Sequence, residues 1–232
     1  MVTIACVWYN NWPNNDEVLG IEYVNKLYRS VKRNTNTSFR FVCLTDNSRV
    51  QFDDGVERMV CDFSKCNRGE IGKIMLYNPD NGFPGRVIGL DLDTVIKGNL
   101  DPFLQRKEPF LVKKNPRPHR FPHLNGIGGD AVSFIAEKYH WLWDKQKQNP
   151  NVEGDERVFY VQNLKPEEIT FWQDLFPRQY LSYKRHLRNL VRKGMYVRLN
   201  NVLDRAVLIS FHGKPRPHQV QDAWLKPYWH EV

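Results

Sequence analysis

The stretch Arg86-Val-Ile-Gly-Leu-Asp91-Leu-Asp93-Thr-Val-Ile-Lys-Gly98 ends a short apolar run in two carboxylates spaced one residue apart. An apolar run of this length, bounded by Gly85 and Gly98, predicts a buried strand rather than a helix. Side chains alternate along a strand, so Asp91 and Asp93 share one face while Leu92 points the other way. Their Cα atoms then stand roughly 6.6 Å apart. At that spacing two carboxylates can converge on one hard cation, or on a cation-bound diphosphate. Two like charges at the end of an apolar strand repel each other unless something positive lies between them. A bare Asp-x-Asp is also compatible with simple solvation where a strand leaves the core, so the surrounding chain has to decide.

That chain reads as one α/β domain over residues 1–232, with a mixed, mainly parallel central sheet. Residues 2–9, 39–44 and 56–61 predict strands. Between the first two, Val18, Leu19, Ile21, Val24, Leu27, Tyr28 and Val31 recur at helical spacing over residues 16–33. A second helix is expected over 64–77, with Ile71, Ile74 and Met75 inward, although Gly69 and Gly72 weaken it. Asp101-Pro102 looks like a helix start, and 110–112 like a short strand. The basic, proline-rich residues 113–122 predict a surface loop, and the glycine-dense residues 124–130 a backbone that approaches a ligand closely. Residues 131–148 predict a helix with Phe134, Ile135, Tyr139, Leu142 and Trp143 inward. Gly154-Asp155-Glu156 opens another helix, and residues 206–211 form a last apolar strand. A β-α-β-β order gathers strand ends at one edge, where open α/β sheets bind ligands.

Composition bounds the partners. The chain has 232 residues, 41% of them hydrophobic, which suits a packed globule and argues against disorder. Cys6, Cys43, Cys61 and Cys66 show no metal-type spacing. Buried free thiols and a reduced, cytoplasmic setting are therefore expected. The N-terminus enters a strand directly, so no signal peptide is expected. No apolar run approaches the ~20 residues of a membrane span. The net charge of +8 asks for an anionic partner.

Asp91, Asp93 and His212 all follow apolar strands, and all are ligand types for a divalent ion. Gly213 and Lys214 come next, a close-approach backbone and an ammonium for phosphate. The run Leu90-Asp-Leu-Asp-Thr-Val-Ile-Lys-Gly-Asn-Leu-Asp101 resembles the metal-binding DxD segment of the GT-A glycosyltransferases. It is most similar to family 8, to which glycogenin and the bacterial lipooligosaccharide galactosyltransferases belong. Phe211-His-Gly-Lys-Pro-Arg-Pro217 resembles that group's C-terminal His…Gly…Lys-Pro element, in a shortened form.

The resemblance implies a GT-A fold, with a nucleotide-binding half over about 1–100 and an acceptor-side half over about 101–218. It implies a retaining hexosyltransferase that uses a nucleoside-diphosphate sugar, UDP-linked, and a glycan or other hydroxyl acceptor. Asp91, Asp93 and His212 would hold Mn²⁺ or Mg²⁺. Lys214, Gly213 and Lys184 would meet the diphosphate. Trp8, Tyr9, Asn10, Thr45 and Asp46 would hold the base and ribose. Lys73 would bind the donor, and Asn125 and Gly126 would lie near the donor sugar, with Asp155 binding that sugar and Glu156 facing its anomeric carbon. In the family an amide is common where Glu156 stands.

Two other readings are open. The run around Asp91 also fits the haloacid-dehalogenase pattern, with Asp91 as phosphoryl-accepting nucleophile. That pattern normally occupies a first core strand, and here three strands precede it. The basic cluster over 184–193 suits a solvated face, a loop over the donor, or an anionic surface. Nucleic acid is not expected as a partner.

Overall fold

A computed structural model describes residues 1–9, 19–65, 69–150 and 154–232. The chain begins with β1 (Val2–Val7), α1 (Glu22–Arg33), β2 (Phe39–Thr45), β3 (Val56–Val60) and β4 (Arg86–Leu90). There follow β5 (Thr94–Ile96), α2 (Asp101–Leu104), β6 (Phe110–Lys114), β7 (Ile127–Ile135), α3 (Ala136–Tyr139), α4 (Trp141–Gln148) and α5 (Glu156–Asn163). The last elements are β8 (Thr170–Phe171), α6 (Trp172–Leu175), β9 (Tyr180–Ser182), α7 (Arg188–Arg192), α8 (Tyr196–Leu203) and β10 (Leu208–Ser210).

The strands form a seven-stranded sheet in the order β3-β2-β1-β4-β7-β6-β8 and a small sheet β5-β10-β9. The first four neighbours run parallel, and β7 runs antiparallel to both β4 and β6. Consecutive residues of β1 and β2 alternate between two apolar clusters. Ile4, Cys6, Phe41 and Cys43 join Val24 and Leu27 of α1, whereas Ala5, Val42 and Leu44 join Ile74, Phe159 and Tyr160. The sheet is therefore covered on both faces, as parallel sheets require. Cys6 and Cys43 stand opposite one another as buried free thiols. The aromatic tail packs back, Trp229 meeting Tyr23 of α1 at 4.8 Å between ring centroids.

Several expectations need correction. Helix α1 starts at Glu22, and residues 10–18 lie outside the described residues. The segment Gly69–Tyr77 is a 3₁₀ run rather than an α-helix. The two glycines lower its α propensity, though Ile74 and Met75 are buried as expected. Residues 131–135 belong to β7, not to a helix. Val132 and Phe134 bury on one face and Ala131 on the other, a period-two pattern that a wholly apolar run conceals. Lys113, expected on a surface loop, lies within β6 and is only 1% exposed. Among the described residues no helix is long and apolar enough to cross a membrane.

Candidate active site

The two sheets meet at the acidic couple. Strand β4 ends with Leu90 opposite Ala131, and the Asp91 amide then donates to the Asp130 carbonyl at 2.9 Å. The Thr94 amide donates to the Asp91 carbonyl at 3.1 Å, closing a turn that carries the chain into β5. Asp91 and Asp93 thus sit on a joint between sheets, with Leu92 turned into the core. Because β5 pairs antiparallel with β10, Thr94 opposite Ser210, residues just past β10 run back beside those just before β5. Gly213 accordingly comes to the cavity wall beside Asp93. Strand β9 lies parallel to β10, Ser182 opposite Ser210, which brings Lys184 and Arg185 to the same rim.

These elements surround a cavity of about 550 Å³, within the range of small-molecule sites. Asp91, Asp93, His212 and Gly213 line it, as do Trp8, Tyr9, Lys73, Lys184, Asp155 and Glu156. Five other expected residues lie off its wall among the described residues. Thr45 is fully buried, its hydroxyl accepting the Asn47 amide within its own turn, and Asp46 follows in that turn. Asn125 and Gly126, both at positive φ, shape the turn into β7, so that Gly128 and Gly129 reach the cavity instead. Lys214 is exposed, and Arg216 two residues on reaches Asp93. Asn10 lies outside the described residues.

Sequence reasoning missed Lys113, Asp130, Arg157 and Arg216. All four line the cavity or its floor. The available signals were a charge closing an apolar strand (Lys113), an acid directly after paired glycines (Asp130), and a second cation–proline pair (Arg216-Pro217).

Three lysine or arginine groups serve the buried carboxylates. Lys73 Nζ stands 2.7 Å from Asp91 Oδ1 and 2.6 Å from Glu156 Oε1, and also donates to the Gly129 carbonyl. Arg216 pairs with Asp93, and Lys113 with Asp130 and the Ser210 hydroxyl. Asp155 caps α5 by accepting the Arg157 amide at 2.9 Å, and also takes that residue's guanidinium.

One ammonium for two carboxylates leaves a shortage of positive charge. Burial pushes the Asp91 carboxyl up to about 8, Lys73 opposing this only in part. Burial likewise raises Asp93 against Arg216 and Glu156 against Lys73. Burial favours the same for Asp130, but Lys113 and His212 outweigh it and hold that carboxyl below its usual range. Burial lowers His212 to about 4, so its ring is neutral at pH 7. Its Nε2 lies 2.6 Å from the Ser182 hydroxyl.

Among the described residues, no three His, Cys, Asp or Glu side chains are gathered closely enough to form a ready ligand cluster. The donor types suit a hard divalent ion all the same: two carboxyl groups and a neutral imidazole line the same cavity.

Gly129 leaves room for Glu156. A Cβ there would stand 2.4 Å from Glu156 Oε1 and 3.2 Å from its Cδ. Since Lys73 holds that carboxylate, Gly129→Ala is expected to displace it and lower turnover about a hundredfold, the usual cost of a 1 Å misplacement. Steady-state kinetics beside a melting curve checks this.

No family model and no curated protein matches the sequence. Solved structures do match. An active-site glutamine-to-glutamate mutant of LgtC superposes with a TM-score of 0.62 at 12% identity, covering 97% of this chain and 93% of LgtC. The galactosyltransferase LgtC in complex with donor and acceptor sugar analogs gives 0.61 at 12% identity, covering 96% and 91%. The glycosyltransferase GlyE of Streptococcus pneumoniae TIGR4 gives 0.59 at 14%, covering 93% of this chain and 55% of GlyE. The chain has the GT-A fold. At these identities the likeness speaks for the fold, and the cavity has to speak for the chemistry.

Proposed function

We propose that the chain is a metal-dependent glycosyltransferase that moves a hexose from a nucleoside-diphosphate sugar, UDP-linked, to a glycan or other hydroxyl acceptor, with retention. One observation carries the reading: the DxD carboxylates, His212 and the α5 carboxylates line a single cavity of a GT-A fold. LgtC, crystallised with donor and acceptor sugar analogs, lends support through that fold. The haloacid-dehalogenase alternative finds none. The base and ribose rest against Trp8 and Tyr9 in the half over 1–100, and the acceptor enters from the half over 101–218.

Asp91, Asp93 and His212 would hold Mn²⁺ or Mg²⁺, which offsets charge on the departing diphosphate. The chain's own groups do the rest. Lys184 and Arg216 face the diphosphate oxygens beside Gly213 and stabilise the negative charge that grows as the sugar–phosphate bond breaks. Asp155 and Lys73 orient the sugar. Glu156, raised by burial yet held by Lys73, presents a carboxylate to the oxocarbenium-like anomeric carbon. The acceptor oxygen forms the new bond to that carbon as the sugar–phosphate bond breaks, and its proton passes to an oxygen of the departing diphosphate.

A donor screen with Mn²⁺ and with chelator tests the proposal. Metal-dependent release of a nucleoside diphosphate supports it. Turnover of a generic phosphomonoester, with every nucleotide sugar left intact, would sink it.

Glu156 also gives a pH signature. A carboxyl raised in the folded state contributes stability that is full below its unfolded pKa and is lost as pH rises. Glu156→Gln carries no such loss. Its melting temperature should exceed that of the parent at pH 8 and converge with it as pH falls. An advantage that grew as pH fell would contradict this.

A further inference from the structure

Between Ser182 and Leu203 the sequence contains no acidic residue, yet Lys184, Arg185, Arg188, Arg192, Lys193 and Arg198 all fall within it. None of these side chains makes a salt bridge among the described residues. Helices α7 and α8 meet at Gly194, whose φ of 62° permits the sharp turn. At that turn Met195, Tyr196 and Val197 are 38%, 63% and 79% exposed, and every residue over 192–198 is exposed. The corner is firmly seated from below, because Leu187, Leu199 and Leu203 are buried in the core.

A face that meets only dissolved anions or nucleic acid gains nothing from three adjacent apolar side chains in water. An anionic bilayer takes both features. Its headgroups attract the cations, and its interface accepts short aliphatic and tyrosyl side chains. We propose that this corner docks on an anionic lipid surface, with Met195, Tyr196 and Val197 entering the interface and the flanking cations meeting the headgroups. Lys184 and Arg185, at the start of the same segment, line the cavity, so docking sets the cavity mouth beside the membrane. The inference stands apart from sugar transfer, because lipid binding needs no donor.

The test is co-sedimentation of the full chain with phosphatidylcholine vesicles, with and without phosphatidylserine, at low and high salt. Binding is expected only with phosphatidylserine and is expected to fade with salt. Arg192→Gln/Lys193→Gln should weaken it about 30-fold, at about fivefold per charge. Tyr196→Ser/Val197→Ser should weaken it about tenfold. All four side chains are exposed, so both variants keep the parent's melting curve. No binding to phosphatidylserine vesicles would overturn the proposal, and so would binding that ignores Tyr196→Ser/Val197→Ser. Duplex DNA that strips the protein from vesicles, and binds that variant equally well, would overturn it in favour of nucleic acid.

Discussion

If the proposed function holds, Asp93→Asn is expected to lower turnover of the nucleotide-sugar donor by about a thousandfold, while the melting temperature stays within a few degrees of the parent. The activity loss follows from charge. Metal polarisation contributes several kcal/mol, and about 4 kcal/mol is a thousandfold in rate. An amide of the same shape cannot supply a carboxylate's affinity for a hard cation. The small stability change follows from two opposing effects. Arg216 loses its ionic partner, but burial already disfavours the Asp93 charge in the folded state, and the neutral amide removes that cost. Kinetics and thermal melting on one preparation separate the two. Unchanged turnover would remove Asp93 from the site, and wholesale unfolding would make its role structural.

The second large effect belongs to Lys73. Its ammonium stands between Asp91 and Glu156, at 2.7 and 2.6 Å. Lys73→Met leaves the buried Glu156 carboxylate and the partly exposed Asp91 carboxylate facing each other without a cation. Stranding buried charge in this way costs about 3–5 kcal/mol, or about 10 °C of melting temperature for a chain of this size. The loss should depend on pH. Burial raises both carboxyls, and Asp91 reaches about 8 even with Lys73 present. Stability tied to a raised carboxyl is present at low pH and lost as pH climbs. The Lys73→Met deficit is therefore expected to be largest at pH 8 and smallest at pH 5, with turnover abolished throughout. A deficit of equal size at both pH values would mean that Lys73 contributes packing and no charge balance.

What was legible in the sequence divides along physical lines. The strand into Asp91 and the Asp155 cap of α5 are local, written in apolar runs and capping chemistry. The placing of Asp91 and His212 on the lining of one cavity is not local. It depends on β5 pairing antiparallel with β10, and no spacing in the chain states that register. Residues 131–135 of β7 read as the start of the following helix because they are buried on both faces, where the alternation of polar and apolar residues disappears. Lys113 was mistaken for a loop residue because a buried lysine depends on a distant partner, here Asp130. The resemblance puts Lys214, with Lys184, at the diphosphate, and Lys214 is exposed and off the cavity wall. Which cation turns inward is set by the backbone past β10, and Arg216 is the one that reaches Asp93.

Calorimetric titration of UDP into the parent and the Asp93→Asn variant, each with Mn²⁺ and with chelator, tests the central claim most directly. The parent with Mn²⁺ is expected to bind, and the other three combinations are expected to show little or no heat. Equal binding by parent and variant, indifferent to the metal, would contradict the claim that the acidic couple and a divalent ion together hold the diphosphate.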